Sequence, residues 1–176
     1  MKYDMSSFIL QCLENYANLA GISIDDIRPA STPFLDESTF QEPRDATTDS
    51  PKGSRLASIA LKSLMKVLYA ARMCRFDVLR ATCVLARRVS TWDRDCDRRL
   101  HRLMCYLKHT QTTINIGFCG DTFKDCRIAL FADADYAGCK STAKSTSGNF
   151  LAIVGPRTYM PLAAVSKKQG CVSLST

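Results

Sequence analysis

"FADADYAGCKSTAKSTSGNFLAIVG" (residues 131–155) decides how this chain is read, because an apolar run ends in two carboxylates before a loop of hydroxyls and lysines. In a strand, residues i and i+2 share a face, so Asp133 and Asp135 point the same way together with Phe131. Ile128, Leu130, Ala132 and Ala134 then cover the opposite face. Two carboxylates held close together repel unless a proton or a divalent cation lies between them. Mg²⁺ is bound in that fashion, by one or two carboxylates plus waters and substrate phosphates. In two-ion sites the pair clamps the attacking and leaving oxygens of a phosphoryl displacement. An exposed acidic strand end is the plainer interpretation, and the D-A-D spacing alone does not separate the two.

Around this stretch the pattern is that of hairpins. "INIGF", "CRIALFADA", "GNFLAIVG" and "TYMPLAAVS" are short apolar runs divided by Gly, Pro, Ser and Thr. Upstream the period changes to that of helices. Residues 6–21 carry Phe8, Leu10, Leu13, Tyr16, Ala17 and Ala20 near helical spacing, with Ser6 or Ser7 available as a cap and Gly21 as a stop. Residues 54–73 repeat the i, i+3, i+4 pattern, with Lys62 and Lys66 off the apolar face. Residues 76–90 and 91–110 add two more such segments. In the last of these Asp93, Asp95 and Asp97 precede Arg98, Arg99, Arg102 and Lys108, in agreement with the helix dipole. From about Arg28 to Ser54 prolines 29, 33, 43 and 51 mark a linker or extended loop.

Charge is unevenly spread over the 176 residues. Up to Gly53 four Lys/Arg stand against nine Asp/Glu, a net of −5; from Ser54 onward twenty stand against eight, a net of +12. A basic segment of that kind is the footprint of a phosphate-binding surface, although a solvated basic face without a partner has the same composition. No apolar run approaches the roughly 18 residues that a membrane span requires. The amino end lacks a basic region leading into an apolar one, so no signal peptide is expected and the chain reads as intracellular, cytoplasmic or nuclear. Nine cysteines without a C-x-x-C pair favour reduced thiols over a disulfide framework. His101, Cys105 and His109 recur at i, i+4, i+8, a spacing that can present metal ligands, but Cys and His within a helix are more often packing or surface residues.

Asp133-Ala134-Asp135-Tyr136-Ala137-Gly138, Lys144-Ser145-Thr146-Ser147-Gly148 and Ser166-Lys167-Lys168-Gln169 follow one another in the order found at the start of a ribonuclease H domain. This part of the chain resembles that domain of Ty1/copia-type retrotransposon Pol polyproteins. Upstream, "SLMKVLYAARMCRFDVLRATCVLARRVS" and "RRLHRLMCYLKHT" are similar to the helical connection between reverse transcriptase and ribonuclease H. "FILQCLENYANLAGISIDDIRPASTP" resembles the preceding thumb. The likeness is strongest over 128–169 and weakest over 37–58. It implies an α+β chain, with a helical connection followed by an incomplete ribonuclease H-like antiparallel three-stranded sheet. The implied divisions are a thumb-like segment at 1–36, a linker at 37–55, the connection at 56–118 and the truncated ribonuclease H part at 119–176.

The implied parent activity is Mg²⁺-dependent hydrolysis of the RNA strand of an RNA–DNA hybrid. Asp133 maps onto the first catalytic carboxylate and metal ligand, with Asp135 as a second metal ligand. Lys144, Ser145, Lys167, Lys168 and Gln169 are the expected nucleic-acid contacts. Arg98, Arg99 and Arg102 would continue a basic track along the connection. The partners implied are a nucleic acid and the rest of the Pol protein, with no membrane.

Departures from the family pattern limit the activity. Arg75-Phe76-Asp77 stands where T-R-P-D is usual, Lys108-His109-Thr110 replaces K-G-T, and the tryptophan common before S-K-K-Q is absent. No Y-x-D-D polymerase motif occurs, and no glutamate follows Glu42. The chain stops at Thr176, where the family continues into its catalytic glutamate. The expectation is therefore a chain inactive on its own, or a non-catalytic nucleic-acid-binding remnant. The helix that would follow Thr176 should cover one sheet face, which is expected here to expose Ile, Leu and Val.

Overall fold

The structure, a computed structural model, describes residues 1–35, 54–135 and 143–172. Most of the expected linker at 37–55, together with Tyr136–Gly138 and the chain end at Ser175-Thr176, lies outside them. Among the described residues the chain is α+β, with four α-helices and a three-stranded antiparallel sheet.

The first helix, α1 (Ser6–Ala20), buries Ile9, Leu13, Tyr16 and Ala17, one stripe at helical spacing. Its cap differs from expectation. Asp4 takes the role given to Ser6 or Ser7, and its carboxylate accepts from the Ser6 backbone N–H at 3.0 Å and from Ser6 Oγ at 2.7 Å. At the other end Gly21 has φ 66°, and its N–H turns back onto α1. That left-handed position suits glycine, which has no Cβ to clash.

Helix α2 (Ala57–Met73) packs Ala60, Leu64, Val67, Ala70 and Ala71 inward. The segment expected to be helical over 76–90 is shorter. A 3-10 turn at Phe76–Val78 leads into α3 (Leu79–Ala86), and a second 3-10 turn closes it at Val89–Thr91. The break has an electrostatic cause: Asp93 caps the next helix by accepting from Cys96 N at 2.8 Å and also binds Arg88 Nη2 at 2.7 Å. One carboxylate serving both groups bends the intervening chain out of helical geometry. Helix α4 (Arg94–His109) then buries Leu100, Leu103, Met104 and Leu107. All four helices contribute to one apolar core, so residues 6–20 and the helices that follow Ser54 are packed together.

Strand β1 (Lys2–Tyr3) pairs with β2 (Asn115–Ile116), tying the amino end to the chain leaving α4. The main sheet runs β3 (Arg127–Ala134), β4 (Thr146–Gly155) and β5 (Thr158–Lys168), with β4 central. At the β4–β5 turn a Cβ on Gly155 would come within 2.6 Å of the Asp121 carboxylate and 3.2 Å of the Asp125 carbonyl, so glycine suits this close approach and a larger residue would displace the Asp121 side chain. One sheet face meets the helices: Phe150 stacks edge-on against Phe76 at 5.9 Å, and Ala164 packs against the helical core. On the other face Ile128 is 74%, Leu130 65% and Val165 50% exposed. Apolar side chains of the expected kind are thus open to solvent among the described residues.

Two partly exposed titratable groups, His101 and Asp77, set the pH response. Tyr16 Oη lies 3.0 Å from His101 Nδ1, and burial raises the tyrosine pKa and lowers that of the histidine. Asp77 is held below its ordinary value: burial opposes its charge, but hydrogen bonds and charge from Arg75, with a further bond from Tyr106, outweigh it. Both folded pKa values are depressed, so both groups contribute stability that is present above the unfolded pKa and lost as pH falls through the folded one. Urea titrations are therefore expected to show stability declining in two stages. The first begins below about pH 6.5 and disappears in His101→Gln; the second begins below about pH 4 and is reduced in Asp77→Asn. A His101→Gln profile identical to the parent between those limits would contradict this assignment.

Candidate functional site

The β3 and β4 register sets Asp133 opposite Gly148, on the face that carries Phe131 and Phe150. Glycine leaves the carboxylate unshielded from across the strand, and Asp133 is exposed. It borders an open groove of about 300 Å³ whose walls include Phe76 and Leu79 from the helical side and Phe131, Phe150 and Ala164 from the sheet.

Asp135 lies just past β3 and is engaged in closing the hairpin. Its N–H donates to Thr146 O at 3.2 Å, and its carboxylate accepts from the Thr146 N–H and faces Arg80 Nη2 at 3.5 Å. Arg80 projects from α3 and was not singled out by sequence pattern. Only tertiary folding brings it within reach of a residue 55 positions later. Its charge offsets that of Asp135, so the two carboxylates need no shared cation to coexist.

The lysine-rich residues gather at the same end of the sheet. Lys167 is opposite Ser147 and Lys168 opposite Thr146 across β4 and β5. The Gln169 backbone N–H donates to Ser145 O at 2.8 Å, and its side-chain amide donates to Ser147 Oγ at 2.9 Å. Ser145 is 4% exposed and Lys144 half-buried, while Lys167 is exposed. These residues therefore share one end of the sheet but not one face: Lys168 lies on the face of Asp133, whereas Lys167 and Gln169 lie with Ser147 on the reverse face.

The α4 arginines have other work. Arg99 is 7% exposed, with Nε 2.6 Å from Asp95 and Nη1 donating to Leu35 O at 3.3 Å. This turns its guanidinium inward, away from the basic track expected of it. Arg102 donates to Thr32 O and to Thr32 Oγ1, both at 2.9 Å. Arg98 is the exposed member and pairs with Asp95 at 2.7 Å. Arg99 and Arg102 thus secure residues 32–35 against α4.

The metal candidates are equally limited. Among the described residues no three His, Cys, Asp or Glu side chains come together as a metal site, and the His101 imidazole is engaged by Tyr16. Nor do the groups at the sheet end fit the two-Mg²⁺ centre that the resemblance implies. Asp133 offers one carboxylate, while the Asp135 oxygens are taken by Thr146 and Arg80. A hard cation that demands near-octahedral oxygen ligation finds too few donors among the described residues. The eight described cysteines are all free, and burial pushes Cys12 and Cys96 up to about 11, so those thiols stay protonated at neutral pH. No helix among the described residues is long and apolar enough to cross a membrane.

Compared with known protein families, with curated proteins and with solved structures, the chain matches none.

Proposed function

We propose that this chain is part of a copia-type retrotransposon Pol protein, containing the helical connection and the first three strands of a ribonuclease H domain. On its own it binds an RNA–DNA hybrid without cleaving it. The observation that carries this is the cationic end of the sheet, where Lys168 shares the face of Asp133, Lys144 enters β4 beside it, and Lys167 and Gln169 occupy the reverse face. Cationic side chains at one end of a sheet suit phosphate oxygens. The antiparallel order of β3, β4 and β5, with the D-A-D stretch closing the first strand, supports the ribonuclease H-like assignment. The shortage of oxygen donors among the described residues argues against hydrolysis by this chain alone. Within the whole Pol protein, Asp133 is the carboxylate that would join acids supplied by other segments.

Fluorescence anisotropy with a labelled hybrid, in chelator and then in Mg²⁺, tests the proposal. Three lysines meeting phosphates predict an affinity loss of about fortyfold between 50 and 200 mM salt. Removing Lys167 and Lys168 together should make the logarithmic salt slope shallower by about two. Salt-independent affinity, or a slope unchanged in the double variant, would place any binding elsewhere. Mg²⁺-dependent cleavage that disappears in Asp133→Asn would overturn the non-catalytic assignment.

A further inference from the structure

Among the described residues strand β3 is an unprotected edge. It is the outer member of the main sheet, its eight residues pair with β4 without a bulge, and all but Ala129 are exposed. It contains neither proline nor lysine. The opposite edge is treated differently. Strand β5 carries Pro161, a register shift near Leu151 and Ala152, and a bridge in which Phe118 and Tyr159 exchange two backbone bonds of 2.9 Å. Proteins blunt edge strands with such devices because an open row of N–H and C=O groups recruits another strand.

We propose that β3 pairs antiparallel with β3 of a second copy of this chain, about a two-fold axis through Leu130, giving a continuous six-stranded sheet. The charge pattern selects that register. With Leu130 opposite its counterpart, Arg127 of each copy stands across from Asp133 of the other, Ala129 across from Phe131 and Ile128 across from Ala132. Neither Arg127 nor Asp133 has an ion pair among the described residues. Sliding by two residues in one direction sets Asp133 against Asp125, two like charges. Sliding in the other direction leaves Asp133 against Ala129 and sets Arg127 against Asp135, which Arg80 already faces. Opposite charges facing across strands stabilise a pairing and like charges destabilise it. The contact is isologous, so it consumes the open edge of both copies and closes at a dimer. This does not rest on the functional proposal, although both involve Asp133.

Sedimentation velocity of the full chain, in chelator so that no cation occupies Asp133, is the test. The parent should show a monomer–dimer equilibrium. Arg127→Asp and Asp133→Arg should each weaken the dimer by about tenfold, since each turns two attractive pairs into repulsive ones. The double variant, which exchanges the charges, should recover most of the parent affinity. Far-UV circular dichroism checks that each variant keeps its strands. A parent that stays monomeric or grows into larger assemblies overturns the proposal. So does a dimer indifferent to the single changes, or one that the double variant fails to restore.

Discussion

Asp77→Asn is expected to lower the stability of this chain by about 3 kcal/mol. The Arg75 side chain is 1% exposed although it is a cation. Its Nε and Nη2 hold the Asp77 carboxylate at 2.9 and 2.8 Å, its Nη1 and Nη2 donate to Thr110 O and Oγ1, and its guanidinium lies 5.8 Å from the centre of the Tyr106 ring. Tyr106 Oη also donates to Asp77 at 2.8 Å. This cluster joins the end of α2 to the end of α4. Removing the acid leaves a buried guanidinium with only neutral acceptors, and an unpaired buried charge is costly. Because Asp77 is 35% exposed, water offsets part of the loss, which keeps the value toward the lower end for buried pairs. Arg75→Lys should also be destabilising, since an ammonium cannot reproduce the two-pronged contact with Asp77. Urea unfolding with an unchanged slope and a lowered midpoint is the expected observation; a loss under about 1 kcal/mol would mean the cluster is dispensable.

The second large effect is expected at Asp97, where alanine should cost about 3 kcal/mol. Its carboxylate accepts from Ser54 Oγ at 2.9 Å, Arg55 N at 2.8 Å, Leu56 N at 3.3 Å and Trp92 Nε1 at 2.7 Å. Ser54 Oγ in turn accepts from Ala57 N at 3.1 Å, so the start of α2 hangs on a residue of α4. Losing this cap costs about 1 kcal/mol, and the Trp92 indole, only 4% exposed, then lacks its acceptor. Asp97→Asn should cost less, because an amide oxygen still accepts. As a reference, Asp125→Ala should change stability by no more than about 0.5 kcal/mol, since among the described residues the Asp125 carboxylate bonds the exposed, neighbouring Thr122 alone. Thermal melts of the three variants beside the parent give the ranking. Equal midpoints for Asp97→Ala and Asp125→Ala would remove the hub from the account.

Periodicity in the chain located the elements well, because burial on one face leaves a repeat that residue types reveal directly. Helices α1, α2 and α4 fall within the ranges their apolar spacing predicts, and β3, β4 and β5 occupy the runs between turn residues. Segment 76–90 was less legible. Its apolar spacing is helical throughout, yet Arg75 with Asp77 at one end and Arg88 with Asp93 at the other impose 3-10 turns. The D-A-D stretch predicted two carboxylates on one face, but not that Asp135 would be taken up by Thr146 and Arg80. Arg98, Arg99 and Arg102 look alike in sequence; their surroundings turn Arg99 inward and leave Arg98 exposed.

By itself, then, the sequence determined the α+β order, the stripe each helix buries, the apolar sheet face and the basic character of the region after Gly53. These follow from local spacing and composition, which do not depend on what lies elsewhere in the chain. Tertiary structure alone decided which charges are spent on holding the fold and which remain at the surface. A guanidinium or carboxylate acquires its role from partners that are often distant in sequence, 55 residues away for Arg80 and Asp135 and 35 for Arg75 and Thr110. Burial then sets how much each contact is worth: around Arg75 the screening water is gone, whereas Arg80 and Asp135 remain partly exposed to it.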